Sequence, residues 1–206
     1  MGVQGGNSGN CPTQNLVDAY EMKATGKMWN EDGSSYDAAN PYKGRDPRFE
    51  MTIVKNGDTK WPSKNAKAIE TFYGGLNAEP ISGATPTGYY LKKYLDSAID
   101  LSSSSTTKTS RHSWITYRLG EFYLNYAEAI FKYSGSADNA NGLGMSAREA
   151  VNVIRNRADV KMPELPTGLS ATIFWSKYQN ERMVELAFEG HRFYDLRRWK
   201  DGDKLK

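Results

Sequence analysis

Three glutamates spaced by four, Glu181, Glu185 and Glu189, constrain what this chain can fold into more than any other feature. At helical spacing they share one face, and like charges so placed repel by roughly 0.2–0.5 kcal/mol per pair in an isolated helix. The residues between them, Met183, Val184, Leu186, Ala187 and Phe188, are too apolar for a solvated face. A buried acidic face needs cationic partners, and the nearby sequence supplies Arg182, Arg192, Arg197 and Arg198. Gly190 then permits a sharp corner into a shorter helix, His191–Lys200. A helix, a glycine corner and a helix, laced with acids and arginines, make a packing device. Glu181, Arg182, Glu185, Glu189, Arg192 and Arg198 are therefore expected to form a structural ion-pair network. Removing Glu185 or Arg192 is expected to lower the melting temperature far more than it changes any ligand affinity.

The residues upstream continue the helical pattern. Trp114–Tyr133 carries Leu119, Phe122, Tyr123, Tyr126, Ala127, Ile130 and Tyr133 at steps of three and four, which predicts a long amphipathic helix. Gly120 inside it costs about 1 kcal/mol relative to Ala, so a close helix neighbour is expected there. Glu121 and Glu128 share a face of the same helix, with Arg118 placed as an i+3 partner for Glu121. Ser146 and Glu149 form a capping box opening a helix through Ala158, with Ala150, Val151, Val153 and Ile154 as its apolar residues. Arg155 and Arg157 are expected in the inter-helix network. Pro163, Pro166 and Gly168 mark a loop, and a third helix runs from about Thr172 to Glu189.

The first half is irregular. Thr13 caps a short helix through about Lys23, with Leu16, Val17 and Tyr20 on one side. Lys27–Gly44 is rich in Asn, Asp, Gly and Pro and reads as loop. Phe49–Val54 alternates apolar and polar residues as a strand would, Asn56-Gly57 is a two-residue hairpin turn, and Thr59–Trp61 would be the returning strand. Tyr89–Leu95 fits a short strand or one helical turn, and Asp100–Ser110 is a Ser/Thr-rich loop. The expected fold is mainly α: antiparallel helix pairs, in an ordinary helical bundle or a TPR-like α-α superhelix, with a small β-hairpin and long irregular loops. Residues 1–12 read as a leader, 13–110 as a loop-rich region with the hairpin, and 111–206 as a helical region.

Several stretches carry a resemblance. In chain order they are Cys11–Met22 (CPTQNLVDAYEM), Arg45–Phe49 (RDPRF), Thr87–Tyr90 (TGYY), Tyr117–Ala129 (YRLGEFYLNYAEA), Ala150–Ala158 (AVNVIRNRA) and Glu181–Trp199 (ERMVELAFEGHRFYDLRRW). Together they resemble the C-terminal half of the SusD/RagB family, surface glycan-binding lipoproteins of the Bacteroidota outer membrane. The resemblance implies a TPR-like helical fold, with Ala more usual than Gly at position 120. It also implies non-catalytic capture of oligosaccharide, delivered to a TonB-dependent, SusC-like transporter. A lipid anchor would tie the whole protein to the membrane. No signal peptide precedes Cys11, so the anchoring cysteine is expected outside this chain. Glycan contacts vary within the family, and none transfers to this chain by motif.

Composition excludes other classes. A net charge of +3 over 206 residues is too small and too evenly spread to argue for nucleic acid. No apolar run approaches the ~20 residues of a membrane span. One cysteine cannot form an internal disulfide, and His112 and His191 cannot build a metal site without carboxylate help. Asp32, Asp37, Asp46 and Asp58 lack the spacing of a calcium loop, so no metal and no cofactor is expected. The three glutamates could in principle serve a glycosidase, but a general acid with a raised pKa wants few cations nearby, so no enzyme is expected. The aromatic content of 12% points elsewhere. Sugar rings present flat C–H faces that stack on exposed aromatic rings flanked by polar groups. Trp29, Tyr36, Tyr42, Trp61 and Tyr73 lie in the loop-rich half beside Asn, Asp, Lys and Ser and are the ligand-binding candidates. Trp114, Trp175 and Trp199 fall on predicted helices and are expected in the core. The alternative is a helical protein-interaction scaffold with no glycan binding of its own.

Overall fold

The computed structural model describes residues 8–59, 67–96, 111 and 113–205. Trp61 and most of the expected returning strand, the Ser/Thr-rich run and His112 lie outside the described residues. The elements are α1 (Gln14–Ala19), α2 (Pro47–Thr52), β1 (Ile53–Val54), β2 (Tyr90–Leu91), α3 (Leu119–Ser134), α4 (Ala147–Arg155), α5 (Ala171–Glu185) and α6 (Arg192–Trp199), followed by a 3-10 turn, Gly202–Leu205. Among the described residues the fold is mainly helical with one two-stranded antiparallel sheet. The described residues form two compact units. One takes residues up to Val17 and from Phe49 to Trp114; the other takes Asp18–Arg48 and Ile115 onward.

The segment read as a strand from Phe49 is mostly helix. Asp46 accepts a hydrogen bond from the Arg48 backbone N–H (2.9 Å), the geometry of an N-cap, and Pro47 takes the first helical position. This start signal outweighs the alternation, and only Ile53 and Val54 remain extended. The turn at Asn56-Gly57 does form, with Gly57 at φ +85 and the Asp58 N–H on the Lys55 carbonyl. The chain returning beside it is Ile69, which exchanges hydrogen bonds with Gly57 and Asp58 (2.7 and 2.9 Å). The ladder partner of β1 is β2, with Ile53 opposite Leu91 and Val54 opposite Tyr90. Val54, Ile69 and Tyr90 make the buried cluster of this unit, and the Tyr90 hydroxyl donates to the Asn77 carbonyl at 2.6 Å.

In the other unit α3 and α4 pack as a pair, and α5 packs on both. Leu124, Ala127, Ile130 and Phe131 of α3 meet Ala150, Val151 and Ile154 of α4 and Phe174 and Tyr178 of α5. The capping box is present: Ser146 Oγ accepts from the Glu149 N–H, and Glu149 accepts from the Ser146 N–H (2.7 Å). Ser170 caps α5 without the reciprocal bond, its Oγ accepting from the Ile173 N–H (3.3 Å). Three boundaries differ from expectation. Helix α3 starts at Leu119 instead of Trp114, because Arg118 is extended and spends its side chain on distant glutamates. Helix α4 stops at Arg155 and α5 at Glu185, and the turns after α5 use left-handed conformations at Phe188 and Gly190. The apolar stripe of α3 is also rotated, since Leu119, Phe122 and Tyr133 are exposed while Leu124 and Phe131 are buried. The polar segment Asp18–Arg48 clusters with these helices and is closed on itself by a Met22–Arg45 bridge and a Lys23 N–H to Gly44 carbonyl bond.

Candidate functional site

The charged residues of the helical unit form a connected and largely buried network. Glu181 on α5 is 2% exposed; one carboxylate oxygen accepts from Arg48 (2.6 Å) and the other from Arg155 (2.7 Å). One turn on, Glu185 accepts from Arg118 (2.5 Å) and Arg157 (2.6 Å) on one oxygen and from Arg48 (2.8 Å) on the other. Arg48 is held in turn by Asp46 through Nε and Nη2 (3.0 and 2.6 Å), and Arg155 by Glu21 (2.9 Å), which also takes Lys177 (2.8 Å). Burial alone would raise the Glu185 carboxyl, but Arg48, Arg118 and Arg157 override it and hold its pKa at about 2. Glu181 is depressed too, with burial outweighed by Arg48 and Arg155. Carboxylates saturated by guanidinium groups stay ionised at neutral pH and cannot act as general acids.

Of the six residues expected in the network, the structure joins some differently. Glu189 lies past the end of α5, yet Arg118 grips it through Nε and Nη2 (2.6 and 2.7 Å). Arg118 therefore does not pair with Glu121. Glu121 instead meets Asn125 (3.5 Å) and His191 (3.6 Å). Arg182 and Arg198 belong to a second cluster. Asp195 on α6 accepts from both (2.7 and 2.9 Å), and Glu128 on α3 accepts from Arg198, the Trp199 indole (2.9 Å) and Tyr178 (2.8 Å). Arg192 makes no ion pair among the described residues. It sits half-buried at the start of α6, where desolvation lowers its pKa against the pull of Asp195 and Asp201. Arg197 lies over the Phe193 ring at 4.1 Å and not on an acid. Of the members missed by sequence reasoning, Glu21, Arg48 and Arg118 come from other elements, and no helical spacing links them to α5, whereas Lys177 stands on α5 itself and reaches out to Glu21.

Gly120 finds its explanation here. A Cβ at this position would lie 2.7 Å from Arg118 Nη1 and 3.1 Å from a Glu185 oxygen, so the close neighbour is an ion pair and not a helix backbone.

The aromatic candidates separate. Trp29 and Tyr36 come together, ring centroids 5.4 Å apart at 60°, with the Arg45 guanidinium 5.1 Å from the Tyr36 ring. Both are half-buried, in a loop wired by Ser34 Oγ to the Trp29 carbonyl (3.0 Å) and Thr25 Oγ1 to the Ser34 carbonyl (3.0 Å). Tyr42 is half-buried in a turn farther along the same loop. Tyr73 belongs to the other unit and is 81% exposed beside exposed Phe72. Trp61 lies outside the described residues. Trp175 and Trp199 pack against the core, as expected. Trp114 does not: it precedes α3, is exposed, and stacks on Tyr94. Among the described residues no group of three or more His, Cys, Asp or Glu is placed to hold a metal ion, and no helix is long and apolar enough to cross a membrane.

A model of the SusD family matches residues 2–205. The chain belongs to the SusD family. Its SusD-family fold is similar to that of a SusD-like protein from Bacteroides fragilis NCTC 9343, with a TM-score of 0.72 and 32% identity over 93% of this chain and 36% of that one. It is also similar to a SusD-like carbohydrate-binding protein of the same strain, with a TM-score of 0.64 and 28% identity over 92% of this chain and 35% of that one. The chain thus spans about a third of the length of these solved SusD-like relatives. No curated protein matches it.

Proposed function

We propose that this chain is part of a SusD-like protein that binds oligosaccharide at the bacterial cell surface without chemically altering it. In this reading it acts at the outer membrane and hands its ligand to a TonB-dependent, SusC-like transporter. The observation that carries the reading is the family match over nearly the whole chain, joined to a solved relative named as carbohydrate-binding. The chemistry agrees with it. The acids that could serve hydrolysis are locked to arginines, whereas aromatic rings with polar neighbours stand in loops, as at Trp29–Tyr36 and Tyr73. Shallow aromatic platforms bind sugars weakly, which suits capture followed by release.

Calorimetric titration of the chain with oligosaccharides of α-glucan, β-glucan, xylan and mannan backbones tests it. Binding of at least one, with no reducing sugar released, is expected; absence of heat throughout would refute it. One observation favours a second reading, a protein-interaction scaffold. The outer side of α3 bears an apolar groove of about 310 Å³ lined by Leu119, Phe122, Tyr123, Tyr126, Leu143 and Met145, the shape that accepts an amphipathic helix.

A further inference from the structure

The turn after β2 holds an aromatic residue in a conformation that aromatic residues avoid. Tyr94 has φ +71, in the left-handed region where a bulky side chain is strained. Such strain persists only where the surroundings over-determine it, and it concentrates at ligand-binding positions. Here the turn is pinned by its backbone. The N–H groups of Lys92 and Lys93 both donate to the Thr52 carbonyl (2.8 and 3.4 Å), and that of Leu95 donates to the Lys92 carbonyl (3.1 Å). Lys92 Nζ also reaches the Glu50 carbonyl at 2.6 Å.

So fixed, the Tyr94 ring lies against Trp114, with centroids 5.5 Å apart and planes 24° from parallel. One face of the indole is backed by the phenol, yet Trp114 remains 72% exposed, so its other face is turned to solvent. A tryptophan placed to fill a core would be covered on both faces, as hydrophobic burial favours. The Lys93 ammonium lies over the Tyr94 ring, 5.7 Å from its centre, and Asp96 is exposed two residues past Tyr94. All four residues belong to the same compact unit.

We propose that Trp114, backed by Tyr94, is a platform for the C–H face of a pyranose ring. The proposal rests on the carbohydrate-binding reading above. A flat, stiffened and exposed indole face suits a sugar ring, whose own faces are apolar C–H surfaces.

The test is calorimetric titration of the full chain with maltoheptaose, cellohexaose, xylohexaose and mannohexaose, repeated on Trp114→Ala, Trp114→Phe and Tyr94→Gly. Glycine is at home at φ +71, so the last variant removes the backing ring without straining the turn. The sugar that binds the wild-type chain is expected to bind Trp114→Ala roughly tenfold more weakly or worse. Trp114→Phe and Tyr94→Gly should fall between, and all three variants should unfold at temperatures near that of the wild type. Equal affinity in wild type and Trp114→Ala would overturn the platform and leave the glycan reading standing. A wild-type chain that binds none of the four sugars would overturn both.

Discussion

Glu185→Gln, at almost constant volume, strikes the ion network at its most connected acid. Three guanidinium N–H groups converge on this carboxylate, at 2.5 and 2.6 Å on one oxygen and 2.8 Å on the other. An amide offers one acceptor oxygen and a nitrogen that only donates, so at least one arginine must face another donor. Removing one partner of a buried pair costs roughly 3–5 kcal/mol. The lower end is expected here, because Asp46, Glu181, Glu189 and Asp159 still hold the same arginines. The acidity of the group gives a separate figure. A pKa lowered from 4.5 to about 2 in the folded chain corresponds, at about 1.4 kcal/mol per unit, to roughly 3 kcal/mol. For a chain of this size that is a fall in Tm of roughly 6–12 °C.

The pH dependence separates the network from mere packing. The folded pKa lies below the unfolded one, so the unfolded chain takes up the extra proton as pH falls between about 4.5 and about 2. The stabilisation from Glu185 is therefore complete above that window and is lost as pH falls through it, and Glu181 acts in the same direction. Glutamine has no proton to take up, so the variant should lose less stability in acid than the wild type. Thermal unfolding followed by near-ultraviolet circular dichroism, from pH 7 down to pH 2.5, measures both curves. A variant within about 2 °C of wild type at pH 7, or one whose deficit stays constant down to pH 2.5, would refute the reasoning.

Arg192→Met should cost less than about 1 kcal/mol, against about 3 for Glu185→Gln, because desolvation already disfavours its charge and it makes no ion pair among the described residues; a thermal melt showing equal losses would restore Arg192 to the network. Glu21→Gln should loosen one end of the loop that carries Trp29 and Tyr36, since Glu21 takes both Arg155 and Lys177 (2.9 and 2.8 Å). Hydrogen exchange should then quicken in amides between Lys27 and Tyr36, and unchanged exchange there alongside a lowered Tm would show that the contact holds helices only.

What was legible in the sequence is what local rules govern. The Ser146–Glu149 capping box, the alternation of helix and loop, and the burial of Glu181 and Glu185 follow from spacing within single elements, whereas the arginines that meet those two acids come from other elements. What was not legible depends on distant partners. The face of α3 that turns inward is chosen by α4 and α5, so Leu119, Phe122 and Tyr133, apolar and correctly spaced, end up exposed. Phe49–Thr52 alternates as a strand, but the Asp46-Pro47 start signal acts over two residues and prevails. Arg48 lies 133 residues from Glu181, and nothing in the periodicity of either segment ties them together. Trp114 fits the apolar stripe only if the helix runs on through it, and α3 begins at Leu119.

The long reach of the network says what it is for. Buried ion pairs contribute little net stability over apolar packing of the same volume, but they penalise wrong arrangements heavily. Here they join segments that local pattern leaves unspecified. Glu21 lies just before the Met22–Arg45 bridge and Asp46 just after it, so the loop between them is held at both ends by the charges that lock α4 and α5. A polar loop without regular structure, carrying Trp29 and Tyr36, is thereby fixed to the helical frame without an apolar core of its own. On this reasoning the charges and the rings are not separate systems: the first fix in place the loop that carries the second.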